Sequence, residues 1–256
     1  MTALLETRAL DVEIAGKQVC RGLELTLAAG RCVGILGANG VGKTTLLHTL
    51  AGLRAPAGGE VRLGGEPIHT MTRRRIAQRL GLVMQAIEDP FPATVLETAL
   101  IGRHPHIGFW QWESAEDIAL ARAALETTGL AGLETREIHA LSGGERRRLA
   151  VATVLAQSPQ IYLLDEPADQ LDVYHQQALL TRFRELARRD GRLVVMTLHD
   201  VNHAARYCDE VLLLFGAGAT LFAPVREALA PANLERLYRT PMATVATPRG
   251  DFYFPL

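Results

Sequence analysis

The 256-residue sequence predicts an α/β fold: a mixed, mostly parallel sheet, an antiparallel β edge subdomain and an inserted helical subdomain. Three patterns point there. Near the N-terminus, apolar and polar side chains alternate at Leu10, Val12 and Ile14, at Leu23, Leu25 and Leu27, and at Val61 and Leu63. Period-two alternation with one wet face marks antiparallel strands. Short runs that are apolar throughout recur at 33–36, 82–84, 161–164, 193–196 and 211–215; these suit parallel strands buried on both faces. Residues 94–102, 113–129 and 145–157 carry helical spacing, with Gly129 as a C-terminal stop.

The organisation that follows is one domain over 1–256, with the helical subdomain at about 87–157 and a short tail from about 224 to 256. The tail shows one helix around 233–238. A chain of this length buries roughly 75% of its unfolded surface and needs no staples. Hydrophobic residues make up 48% and charged residues 21%, which excludes a disordered chain. A net charge of -1 gives no global basic field, so nucleic acid is not an expected partner. Cys20, Cys32 and Cys208 are odd in number and far apart, which argues against a disulfide framework or zinc site and fits a reducing cytosol. The first ten residues carry Glu6 and Arg8 and lack the apolar stretch of a signal peptide. No apolar run approaches the ~18–20 residues that span a bilayer.

Gly37, Ala38, Asn39, Gly40, Val41, Gly42, Lys43 and Thr44 fit G-x-x-x-x-G-K-[ST]. The motif follows the apolar run 33–36 and precedes a helical stretch at 45–53 that opens with Thr45. Backbone N–H groups in such a loop curl around phosphate oxygens, and the helix N-terminus adds positive potential. Lys43 then reaches the β- and γ-phosphates, and the Thr44 hydroxyl meets Mg²⁺. Only Lys17 and Lys43 are lysines, and the bare pattern arises by chance in on the order of one in a hundred chains this long. The loop predicts a P-loop NTPase core and a nucleoside triphosphate site. Kinases, GTPases and motor ATPases share it, so the reaction stays open at this point.

Asp165 and Glu166 close the run 161–164. If that strand ends beside the phosphate loop, Asp165 reaches the Mg²⁺ shell and Glu166 sits where a general base orients water. The same residues also suit a polar strand end entering a turn. In Leu141, Ser142, Gly143, Gly144 and Glu145, Ser142 and Glu145 form a capping box. A cap does not explain two glycines in a first helical turn, which they weaken. A ligand approaching the backbone there does, and it implies a second phosphate-binding helix end. Arg146, Arg147 and Arg148 read as a solvated helix face.

In this order the motifs resemble the ATP-binding subunits of ABC transporters, and the resemblance runs from about residue 4 to 220. It implies ATP and Mg²⁺ as cofactors, with Gly37 to Thr44 as Walker A and Leu141 to Glu145 as the signature. It makes Gln85 the Q-loop residue, Asp165 the end of Walker B and Glu166 the catalytic carboxylate. Asp172 becomes the D-loop aspartate and His199 the switch residue. Thr44, Gln85 and Asp165 are the implied Mg²⁺ ligands. In the family two subunits pack head-to-tail, each ATP lying between one Walker A loop and the partner's signature. A homodimer of this kind resolves the puzzle of two phosphate sites. Ile14 stands where the family often has an aromatic residue against adenine, and Ala168 follows Pro167 where Ser or Thr is commoner.

After Gln85 come Thr94, Val95 and Glu97, then Gly102, Arg103, Pro105 and His106. These pieces resemble importer ATPases that serve iron–siderophore, haem and vitamin B12 permeases. That branch implies an integral membrane permease dimer, a periplasmic substrate-binding protein and a place on the cytoplasmic face of a bacterial inner membrane. The short stretch from Gln157 to Gln160 tilts the reading toward siderophore or cobalamin without excluding haem. Phe91, Phe109, Trp110 and Trp112 suit a surface that grips another protein, with Phe91 and Arg103 as anchors. His104 and His106 lack the acid or thiol neighbours of a metal site. The alternative is a soluble non-transport ABC ATPase such as an iron–sulfur assembly factor.

Overall fold

The computed structural model describes residues 3–84, 92–248 and 250–256. Strand β1 (Ala3–Ile14) pairs antiparallel with β2 (Lys17–Ala28). Strand β3 (Cys32–Gly37) leads into helix α1 (Lys43–Leu50), which starts two residues earlier and ends three earlier than the sequence pattern suggests. Strand β4 (Gly58–Leu63) returns to β1, and the short β5 (Glu66–Pro67) completes a four-stranded sheet in the order β2-β1-β4-β5. Leu5 sits opposite both Leu27 and Leu63, and all three are buried. The alternating pattern therefore delivers one apolar face, as expected of an antiparallel edge sheet.

Helix α2 (Arg73–Ala77) precedes β6 (Leu80–Val83). Then come α3 (Val95–Ile101), α4 (Ala115–Thr127) and α5 (Gly143–Gln157), followed by β7 (Ile161–Leu164) and α6 (Val173–Asp190). Strand β8 (Leu193–Thr197), α7 (Val201–Tyr207), β9 (Glu210–Gly216) and β10 (Ala219–Pro224) complete the core. The main sheet runs β10-β9-β3-β8-β7-β6, parallel except for β10 against β9. One detail of the sheet order bears on the site. The strand that ends at the two carboxylates, β7, is not beside β3, because β8 lies between them.

Burial on both faces explains the unbroken apolar runs. In β7, Tyr162 and Leu164 point into one core and Ile161 and Leu163 into the other; β8 divides Val194 and Met196 from Leu193 and Val195 in the same way. Each such buried aliphatic side chain contributes ~1.5–3 kcal/mol relative to exposure. Helix α1 supplies Leu46, Leu47 and Leu50 to the core shared by the two sheets, so the segment after the phosphate loop is held on its buried side.

Helices α3, α4 and α5 have a core of their own around Val95, Leu125, Leu130 and Leu149. Each opens with a reciprocal capping box: Thr94 with Glu97, Ser114 with Asp117, and Ser142 with Glu145. Such caps contribute about 1 kcal/mol apiece. Beyond β10 lie α8 (Val225–Ala228) and α9 (Pro231–Tyr238). A hairpin of β11 (Met242–Thr247) and β12 (Gly250–Pro255), absent from the sequence reading, follows them. No helix among the described residues is long and apolar enough to cross a membrane.

Candidate functional site

All parallel strands of the main sheet end on one edge, the edge where ligands bind in open α/β sheets. There the loop from Gly37 to Thr44 joins β3 to α1. Gly42 caps the helix at φ 107°, a left-handed conformation, and a Cβ there would overlap the Val19 side chain. Only glycine fits. Lys43 is buried, and its Nζ donates to the carbonyl of Gly37 at 3.0 Å, folding the side chain back over the loop. Burial pushes the Lys43 ammonium below its usual pKa, against the opposing pull of Glu166, Asp165 and Asp169. A phosphate group would restore the charge's environment.

The strand between β3 and β7 supplies a residue that sequence reasoning missed. Thr197, the last residue of β8, donates its hydroxyl to Asp165 Oδ1 at 2.7 Å and accepts the N–H of Glu166 at 2.8 Å. It fixes both carboxylate residues across the strand gap. Glu166 Oε1 then lies 3.9 Å from Lys43 Nζ and 2.6 Å from His199 Nε2, so the expected approach of β7 to the phosphate loop is made by side chains. Asp169, also missed, places Oδ2 at 3.6 Å from the same imidazole nitrogen. The signal for Thr197 was a single hydroxyl ending an apolar run.

Asp165 is fully buried, and its Oδ2 has no hydrogen-bond partner among the described residues. A bare carboxylate oxygen in the interior is costly unless a cation meets it. Hard divalent cations take oxygen ligands, and the Asp165 carboxylate and the Thr44 hydroxyl are donors of that kind, so these residues fit Mg²⁺. Gln85 and Phe91 lie outside the described residues.

Ile14, Asn39, Lys43, Thr45, Glu166 and His199 border one cleft of about 450 Å³, within the range of small-molecule sites. Ile14 is partly exposed at the end of β1, so an apolar contact is available at the cleft's rim. The segment from Leu141 to Glu145 does not border this cleft. Leu141 is buried, Ser142 and Gly143 are exposed, and a Cβ on Gly143 or Gly144 would meet nothing closer than 3.7 Å. The chain's own packing does not require glycine at either position. Asp172 caps α6 and accepts the N–H of His175 at 2.9 Å; these bonds hold its carboxyl below the usual range.

Residues 20–169 match the ABC transporter family. The chain belongs to that family. It is 35% identical to the achromobactin transport ATP-binding protein of Dickeya dadantii, over 100% of this chain and 94% of that protein. A hemin import ATP-binding protein of Bordetella pertussis is 36% identical over 95% of each. A cobalamin import ATP-binding protein of Halobacterium salinarum is 35% identical over 95% of this chain, which spans 61% of that protein's length. Among solved structures, a metal-chelate type ABC transporter in an inward-facing conformation superposes with TM-score 0.86 at 29% identity, covering 99% of this chain and 98% of that one. A dimeric bacterial ABC transporter cassette gives TM-score 0.72 at 25% identity, over 82% and 94% of the two chains.

Two expectations about this ABC chain need correction. The three consecutive arginines do not form a solvated face. Arg147 is buried and donates to the carbonyls of Met84, Asp165 and Glu166, while Arg146 and Arg148 are half-buried. Helical spacing held the clue, since Arg147 shares a face with Val151 and Val154, both in the core. Arg103 is no free anchor either. Its Nε bonds Asp117 Oδ1 at 2.8 Å and its Nη1 bonds Ala156 O at 2.9 Å, inside the helical subdomain. Phe109, Trp110 and Trp112 are 88%, 90% and 89% exposed, so the aromatic surface itself is present. His106 faces the Gln157 carbonyl at 3.0 Å.

Proposed function

We propose that this chain is the ATP-binding and ATP-hydrolysing subunit of an importer, working as a homodimer beneath a separate integral membrane permease dimer. The observation that carries the reading is the convergence of Glu166 on both Lys43 and His199 at the mouth of the phosphate loop. The loop's N–H groups and Lys43 hold the β- and γ-phosphates. Asp165, Thr44 and Gln85 would hold Mg²⁺, which would supply positive charge against the phosphate oxygens. Glu166 orients a water in line with the γ-phosphorus and accepts its proton as the new P–O bond forms. The bond from phosphorus to the bridging oxygen breaks, releasing ADP and phosphate. His199 holds the Glu166 carboxylate in place and lies near the γ-phosphate.

The exposed turn from Ser142 to Glu145 serves the nucleotide of the partner subunit. Support comes from glycines that the chain's own packing does not require and from the likeness to a dimeric cassette. Asp172, exposed at the start of α6, meets the partner subunit. Ile14 offers an apolar contact to the base in place of a stacking ring.

The cargo is a metal chelate of the siderophore, cobalamin or haem kind, delivered by a periplasmic binding protein to the permease. The names of the relatives above support this class, and none of them is a soluble assembly factor. The subunit sits at the cytoplasmic face of the membrane through its permease, which grips the surface around Trp110 and Trp112. Reconstituting the subunit with that permease and finding which chelate accelerates ATP hydrolysis tests the reading. Hydrolysis that responds to none of the three sinks it.

A further inference from the structure

The second turn of α5 sends a charged side chain into the centre of the protein. Arg147 is 6% exposed, and burial pushes its guanidinium below the usual pKa against the pull of Asp165, Asp169 and Glu166. Its Nη1 donates to the carbonyl of Met84 at 2.6 Å, immediately after β6 and immediately before Gln85. Its Nη2 donates to the carbonyls of Asp165 and Glu166, the latter at 2.6 Å. One planar fork thus joins the ends of two neighbouring strands to a helix.

Glu166 needs such a hold. Its φ is 49°, a left-handed conformation that disfavours a side chain like glutamate. Thr197 fixes the N–H of Glu166, and Arg147 fixes its carbonyl. With the backbone pinned on both sides, the side chain is delivered to His199 at 2.6 Å. The helix that provides the pin begins at Gly143, inside the turn whose glycines lie open.

We propose that Arg147 is a positioning residue that holds the left-handed backbone of Glu166 and thereby makes the aim of its carboxylate depend on where the Ser142–Glu145 turn sits. The inference rests on the reading that this turn meets the partner's nucleotide. When that nucleotide draws on the turn, α5 moves with it, and Arg147 carries the displacement to Glu166 and to the strand end before Gln85.

The test uses the full chain with Arg147→Met and Arg147→Lys. Methionine keeps the length and apolar stem but donates nothing; lysine keeps the charge but lacks the planar fork. Arg147→Met should lower kcat for ATP by about tenfold to a hundredfold, with KM changed by less than about twofold, because misplacement affects the reacting geometry rather than binding. Arg147→Lys should melt like the parent and fall between the two in kcat. A separate arm with Glu166→Gln asks whether ATP drives dimerisation at all, which tests the partner reading alone. If Glu166→Gln dimerises and Arg147→Lys and Arg147→Met turn over at the parental kcat, Arg147 does not position Glu166. Loss of kcat, ATP binding and melting temperature together in both variants would also overturn the proposal, since that is the mark of a purely structural arginine.

Discussion

Glu166 Oε1 and His199 Nε2 lie 2.6 Å apart, joining a buried strand end to a half-exposed loop residue. Replacing Glu166 with Gln keeps the shape and removes the basicity. Hydrolysis should fall by about a hundredfold or more while ATP still binds. Size-exclusion chromatography with ATP and Mg²⁺ should then show a stable dimer. A variant that stays monomeric at saturating ATP argues against the shared-nucleotide arrangement.

Lys43 is folded onto the Gly37 carbonyl at 3.0 Å, with no other lysine in the sequence but Lys17. Lys43→Ala should reduce turnover by about a hundredfold or more, since a charge aimed at the transferring phosphoryl group is lost. Parental turnover in this variant would refute the phosphate-loop assignment.

Gly143 has open space where a Cβ would stand, its nearest neighbour being Gln170 Oε1 at 3.9 Å. Gly143→Ala should fold normally and melt no lower than the parent, because alanine favours a helical turn. On the proposed shared-nucleotide arrangement its ATP hydrolysis should nonetheless collapse, as the methyl group would block the partner's nucleotide. A variant that is both stable and fully active shows that nothing approaches this turn.

Arg103 and Asp117 form an ion pair with side chains 11% and 13% exposed. Removing one member of such a pair costs about 3 kcal/mol, so Arg103→Ala should be less stable rather than merely unable to dock. The Ser114 hydroxyl first, and Arg103 second, hold the Asp117 carboxyl down at about 2 from an ordinary 3.8. A carboxyl depressed in the folded state adds stability above its unfolded pKa and loses it as pH falls through the folded one. The difference between parent and variant should therefore be full at pH 7 and shrink from about pH 4 toward 2. Urea melts across that range check the sign; a gap that widens on acidification refutes it.

Trp110 and Trp112 are almost wholly exposed. Changing both to alanine should leave ATP binding by the isolated subunit intact, weaken co-purification with the permease and lower uptake by about tenfold or more. Normal transport would place the grip elsewhere.

Local signals made the phosphate loop, the Ser142–Glu145 cap and the carboxylates after β7 legible, because each is written within a few consecutive residues. The apolar runs likewise marked β3, β7, β8 and β9, since burial on both faces leaves no polar position. Sheet order was not legible. That β8 separates β3 from β7 depends on contacts between distant segments, and with it went the role of Thr197. Arg147 was misread because three arginines together suggest solvent, although its spacing to Val151 and Val154 puts it on the core face. The hairpin of β11 and β12 was missed because its burial is slight: of β11 only Met242 is buried, and of β12 only Tyr253.

That hairpin is fastened at a telling place. Asn202 donates to the Tyr253 carbonyl at 3.0 Å and accepts the Tyr253 N–H at 2.8 Å, tying β12 to the helix that follows His199. In the order of synthesis Tyr253 emerges after the phosphate loop, Asp165, Glu166, Asp169 and His199. A nascent subunit interrupted before residue 250 would carry all of the chemistry and lack the brace beneath α7. The two hydrogen bonds that hold β12 on α7 thus form only after every residue around the cleft has been made.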